Sequence, residues 1–150
     1  MKILAAVYSR SGHTLNLAKK ITDELGADLD IIVDKKNRKG IIGWFMAGKD
    51  AVMKKKTEIE FSKNPKDYDK IVLGTPVWAG SITPAVRTYI IQNNIKEVAF
   101  FCTFGGDAGK VVGRVKDMLS KMIAYLGLKT RDVDRDIESI KAFCKIVKNS

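Results

Sequence analysis

Three short stretches of this chain gather residue types that can hold a phosphorylated, ring-bearing ligand. The first is Ser9-Arg10-Ser11-Gly12-His13-Thr14, which follows the apolar run Ile3 to Val7 and leads into a helical pattern starting near His13. A hydroxyl- and glycine-rich turn between a strand and a helix is a phosphate cradle, because first-turn N–H groups point outward and carry partial positive charge. Ser9, Ser11 and Thr14 add three hydroxyl donors, and Gly12 permits a close backbone approach. The plainer alternative is that Ser11 or Thr14 only caps the helix. The second stretch is Thr75-Pro76-Val77-Trp78-Ala79-Gly80-Ser81 and the third is Thr103-Phe104-Gly105-Gly106-Asp107. Trp78 and Phe104 offer flat apolar faces for a flat ring. Gly80, Gly105 and Gly106 expose amides and carbonyls for its polar edge. The alternative for both aromatics is packing in the core. A phosphate site and a ring site together describe a mononucleotide.

The elements that must position these loops are legible in outline. Residues 2–8 form a first strand, apolar on both faces as in a covered parallel sheet. Leu17, Ala18, Ile21 and Leu25 make a helical stripe over 13–25, with Gly26 as its stop. Further strands are expected at Leu29–Val33, at Ile71–Leu73, at Val98–Cys102 and near Leu128–Val133. Helices are expected from Pro84 to about Asn93, through Val111, Val115, Met118 and Met122, and through Ile137, Ile140, Cys144 and Val147. Five strand–helix alternations predict one doubly wound α/β domain over residues 1–150 with a central parallel sheet. Such folds take ligands outside the carboxyl ends of their strands, which is where all three loops fall.

The 150 residues carry a net charge of +10. The surface is therefore basic and suited to acidic or phosphorylated partners. From Lys35 to Lys56 there are eight basic residues and one acid, Asp50. Ile41, Ile42, Phe45, Met46, Val52 and Met53 fall among them at helical spacing, so this segment reads as an amphipathic helix with basic ends. Charge alone, without a recognition motif, does not indicate nucleic acid. Cys102 and Cys144 lie in apolar patterns without metal-ligand spacing and read as buried thiols of a reducing compartment. No apolar run is long enough to span a membrane, and Tyr8-Ser9-Arg10 interrupts the first one too early for a signal peptide. A cytoplasmic location is the expectation.

The three loops together resemble those of the flavodoxins. Ser9-Arg10-Ser11-Gly12-His13-Thr14 is similar to the family's T/S-x-T/S-G-x-T phosphate loop. Thr75-Pro76-Val77-Trp78-Ala79-Gly80 resembles the first ring-contacting loop and Thr103-Phe104-Gly105-Gly106 the second. The resemblance runs through the whole chain in order, and the lack of a long late insertion is similar to the short-chain branch. It implies a three-layer sandwich around a five-stranded sheet of order 2-1-3-4-5 and a non-covalently bound FMN. It places Ser9, Arg10, Ser11, Gly12, His13 and Thr14 around the phosphate. Pro76, Val77, Trp78, Ala79 and Gly80 fall on one side of the ring, and Thr103, Phe104, Gly105 and Gly106 on the other. It implies one-electron shuttling, with a peptide near Ala79-Gly80 turning its carbonyl toward the ring as an electron arrives. No catalytic side chain and no metal are implied, because the cofactor carries the chemistry.

Three features depart from that family. The chain is basic where many flavodoxins are acidic, which should raise the flavin potential and suit an acidic redox partner or the phosphates of NAD(P)H. Phe104 stands where Tyr is common. His13, the single histidine, stands where Asn is common, and is either a pH-dependent phosphate contact or a solvated first-turn residue. Two functions fit: an electron carrier between redox proteins, or an FMN-dependent NAD(P)H oxidoreductase acting on a quinone or similar acceptor. The chain has no G-x-G-x-x-G dinucleotide fingerprint. A phospho-receiver module is excluded, because Tyr8-Ser9-Arg10 supplies no acidic cluster after the first strand.

Overall fold

The computed structural model describes residues 1–35 and 57–150. The basic amphipathic helix expected within 35–57 lies outside the described residues except for its two ends. Five strands form one parallel sheet: β1 (Ile3–Val7), β2 (Asp28–Ile31), β5 (Lys70–Pro76), β6 (Glu97–Phe104) and β7 (Lys121–Lys129). Two short strands, β3 (Val33–Asp34) and β4 (Ile59–Glu60), pair antiparallel outside it. The sheet order is β2-β1-β5-β6-β7. With β3 and β4 set aside this is the expected order 2-1-3-4-5, and order reverses beside β1.

Alternation along the strands sends side chains to two cores. Leu4, Ala6, Leu73, Phe100 and Cys102 face one way, packed with Val86, Tyr89 and Ile90 of α2 (Pro84–Gln92) and Val111 and Val115 of α3 (Val111–Lys116). Ile3, Ala5, Val7, Val72 and Phe101 face the other way. They meet Leu17, Ala18 and Ile21 of α1 (His13–Leu25) and Ile140, Phe143 and Val147 of α4 (Ile137–Asn149). Helices on both faces of a parallel sheet make the three-layer, doubly wound α/β arrangement. Each fully buried aliphatic side chain contributes about 1.5–3 kcal/mol, so both faces help hold the sheet beneath its loops.

Local chemistry explains most element ends. Helix α1 ends at Gly26, whose left-handed backbone (φ 63°) returns its N–H to the Thr22 carbonyl. Pro84 sits in the first turn of α2, where a missing N–H costs nothing. The strand expected at Leu29–Val33 instead stops at Ile31, and Val33 leaves the sheet to pair with Glu60. Asp30 is buried there because its carboxylate accepts the Ser62 and Lys63 backbone N–H groups at 2.7–3.2 Å.

Two expectations fail after β6. The helix expected through Met122 ends at Lys116, and Met122 lies in β7 opposite Val98. Consequently the last strand is Lys121–Lys129 rather than Leu128–Val133. Met118, Leu119 and Met122 match a helical period by coincidence, whereas Ala124, Leu126 and Leu128 alternate as an edge strand does. In α4, Phe143 joins the buried stripe and Ile137 is exposed. Cys102 and Cys144 are free and buried, as read from their apolar settings. No described helix is long and apolar enough to cross a membrane.

Candidate functional site

The loops that leave the carboxyl ends of β1, β5 and β6 meet around one pocket of about 750 Å³. The first loop contributes Arg10 and Ser11 to its lining, the second Pro76 to Gly80, and the third Thr103 to Asp107. Of the residues expected at the site, Ser9, Gly12, His13 and Thr14 do not line this pocket. They form the turn beside it that starts α1.

That turn is built from its own groups. The Gly12 N–H donates to Ser9 Oγ at 3.1 Å, and Gly12 has a φ of 95°, a region side chains resist. Gly12, not Ser11 or Thr14, is therefore the helix N-cap, and it has no side chain to occupy the first-turn amides. Thr14 is buried, and its hydroxyl meets the Thr103 hydroxyl at 2.7 Å, tying the first loop to the third. His13 is exposed in the first turn. Its position is that of the solvated residue, near enough to Asp134 to help lower that carboxyl's pKa; hydrogen bonds from Asn16 and Lys20 contribute more.

The second loop is a tight hairpin. Trp78 and Ser81 exchange two backbone hydrogen bonds of 2.9 and 3.0 Å around Ala79 and Gly80. Both central residues have positive φ, 51° and 69°, which is the signature of a type I′ turn. Trp78 lines the pocket but is only 8% exposed, because its ring packs edge-on against Tyr8 with centroids 5.6 Å apart. Its core role and its pocket role coexist. Phe104 is half-buried and stands against the β7 edge near Gly127. The Val77 N–H donates to the Thr103 carbonyl at 2.9 Å, which holds the second and third loops together. Behind them a Cβ on Gly109 would lie 2.8 Å from the Gly80 Cα, so only glycine allows that crossing of chains.

Sequence reasoning left two lining residues out of the site. Asp107 lines the pocket while its carboxylate accepts the Gly109 N–H at 2.7 Å, an Asx turn that shapes the third loop. Thr130 follows β7 at the same edge of the sheet. The signal that finds it is its place just past a strand's carboxyl end, which the misplaced last strand concealed. Among the described residues no cluster of His, Cys, Asp or Glu could hold a metal ion.

Fold and site together define a flavodoxin-like α/β protein, with its candidate site where strand order reverses. No protein-family model matches the chain, and no curated protein sequence matches it. Solved structures do. A flavoprotein of Lactobacillus acidophilus NCFM, solved in complex with FMN, is 26% identical, covers 89% of this chain and 97% of its own, and superposes with a TM-score of 0.72. A Bacteroides eggerthii protein is 24% identical over 98% of both chains, with a TM-score of 0.76. Oxidised flavodoxin 2 of Bacillus cereus is 18% identical over 99% of both, with a TM-score of 0.63. The resemblance first drawn from three loops thus extends to the fold of flavodoxin-like flavoproteins.

Proposed function

We propose that this chain binds FMN between its three loops and carries electrons, one at a time, between redox proteins. The observation that carries the reading is convergence: Arg10 and Ser11 of the first loop, just ahead of the glycine-capped start of α1, and two loops bearing Trp78 and Phe104 line one pocket. The FMN bound by the similar Lactobacillus flavoprotein supports it. The residues present fit that cofactor. Ser9, Arg10, Ser11, Gly12, His13 and Thr14 would hold the phosphate with hydroxyls, first-turn amides and the Arg10 guanidinium. Pro76 to Gly80 and Thr103 to Gly106 would enclose the ring. When bound, FMN supplies reversible electron uptake at that ring.

The protein's own part is orientation and tuning. Thr14–Thr103 and Val77–Thr103 hydrogen bonds fix the loops relative to one another. The hairpin at Ala79-Gly80 presents a peptide to the pocket that glycine leaves able to turn over. A net charge of +10 favours an acidic redox protein as partner, and a cytoplasmic setting accords with two free thiols.

One observation favours the oxidoreductase reading. Trp78 is turned largely into the core, so Phe104 is the more exposed aromatic of the two, and a ring covered on one side leaves space for NAD(P)H or a quinone. Fluorescence titration with FMN tests the site itself: removing a phosphate contact by Ser11→Ala should weaken binding about tenfold, at roughly 1.5 kcal/mol for one charge-assisted hydrogen bond. Anaerobic titration of the FMN-loaded protein with NADPH and NADH then separates the functions. A carrier stays oxidised with both nucleotides; rapid bleaching by either identifies a reductase.

A further inference from the structure

Helix α2 is buried from Pro84 to Ile90, yet Arg87 sits in the middle of it at 7% exposure. A guanidinium keeps its charge and carries five N–H donors. Arg87 Nη2 donates to Ser81 Oγ at 3.3 Å, and Nη1 donates to the Met118 Sδ at 3.6 Å, a weak acceptor. Its Nε is buried with no partner. Arg114, on α3, lies within electrostatic reach of Arg87, and one of its terminal nitrogens, Nη1, is likewise buried and unpartnered. Burial lowers the Arg87 pKa and the Arg114 charge lowers it further. Among the described residues no carboxylate forms a salt bridge with either arginine.

The Arg87 charge is buried and the Arg114 charge half-buried, each with a donor unused, and among the described residues neither has a carboxylate as counter-ion. Buried charges in proteins are paired or they are costly, and planar guanidinium forks match oxyanions in particular. We propose that Arg87 and Arg114 form an oxyanion site for a phosphate, sulfate or phosphoryl group. It is distinct from the Ser9–Thr14 turn: α2 and α3 cover one face of the sheet and α1 the other. Through Ser81 Oγ it abuts the Trp78–Ser81 hairpin, so an anion there braces the turn that lines the pocket. The site requires no flavin.

The test is thermal melting in a zwitterionic buffer at fixed ionic strength, with sodium phosphate, sodium sulfate or sodium chloride added. Side-chain Nε–H signals of ¹⁵N-labelled protein locate the effect. Phosphate and sulfate should raise Tm saturably, beyond chloride, and shift the Arg87 and Arg114 signals. Arg114→Gln should abolish both responses. Arg114→Glu places a carboxylate beside Arg87, and should raise Tm in the absence of oxyanion while removing the response to it. A Kd for 2′,5′-ADP at these signals tenfold below that of inorganic phosphate assigns the group to a nucleotide; a higher Kd assigns a free ion. The proposal is overturned if phosphate acts no better than chloride. It is equally overturned if phosphate shifts only first-turn amides of α1, or if the response survives Arg114→Gln. Absence of FMN binding leaves each of these outcomes readable.

Discussion

The buried hydrogen bond between Thr14 and Thr103 gives the sharpest quantitative expectation. The two hydroxyls lie 2.7 Å apart, and both residues are almost fully buried. Valine matches threonine in shape, so Thr14→Val removes the bond without opening a cavity and strands the Thr103 hydroxyl. An unsatisfied buried hydroxyl costs about 1–3 kcal/mol. In a chain of 150 residues, 2 kcal/mol corresponds to a fall in Tm of about 6 °C. Thr103→Val should cost a similar amount for the reciprocal reason. The double variant leaves neither hydroxyl stranded, so it should cost about 1–2 kcal/mol less than the sum of the singles. Urea unfolding of the FMN-free protein measures all three, and equal m-values would confirm that only the folded state changed. If the single effects add to within about 0.5 kcal/mol, the hydroxyls do not share a bond and the first and third loops are not tied there.

Other substitutions and conditions probe separate parts of the molecule. Ala79→Gly relieves a left-handed φ of 51° and should raise stability by about 0.5–1 kcal/mol, the difference between the strain removed and glycine's extra chain entropy; a loss in thermal melting would refute the hairpin assignment. Asp30→Ala leaves the Ser62 and Lys63 amides facing a void and should cost about 2–3 kcal/mol in urea unfolding, with Asp30→Asn costing less. Burial pushes the Cys102 and Cys144 thiols up to about 11 from 9.0. The folded state then holds protons that the unfolded state releases, so this stabilisation is complete below about pH 9 and is lost as pH rises toward 11. Each tenfold tightening of proton binding in the folded state is worth about 1.4 kcal/mol. Tyr89 and Tyr125, also raised chiefly by burial, extend the same trend upward. Stability should hold from pH 8 to about pH 9 and fall from there to pH 11, and both thiols should resist alkylation at pH 8 until the chain unfolds.

What could be read from the sequence followed physical regularity. Continuous apolar runs such as Leu4 to Val7 and Val98 to Cys102 belong to central strands buried on both faces, where few alternatives fit. Helix α1 was legible because its apolar stripe and its glycine stop agree, although its cap is Gly12 rather than Ser11 or Thr14. The failures fall at the sheet's two edges. Strand β7 is covered on one face and carries Tyr125, 40% exposed, among alternating apolar residues, so its pattern is weaker than the helical period running into it. Strand β2 turns out of the sheet because Asp30 is satisfied by a loop more than thirty residues away, which no local pattern records. The arginine pair was hidden for the same reason: Arg87 and Arg114 come within electrostatic reach only after α2 and α3 pack on one face.

The three loops differ in how much freedom the fold leaves them, and this bears on how the pocket works. Thr103 holds two of its neighbours at once, through its hydroxyl to Thr14 and its carbonyl to the Val77 N–H. Gly80 and Gly109 then bring the hairpin and the end of the third loop into backbone contact. A change in the hairpin must therefore be felt at Thr103 and, through Thr14, at the start of α1. Ser11, Gly105 and Gly106 lie exposed outside these ties. The inner residues set the shape of the pocket while the outer ones remain able to adjust to whatever fills it. Tight ties at the strand ends and loose tips beyond them suit a ligand held by backbone amides, because amides position well only when the chain carrying them cannot drift.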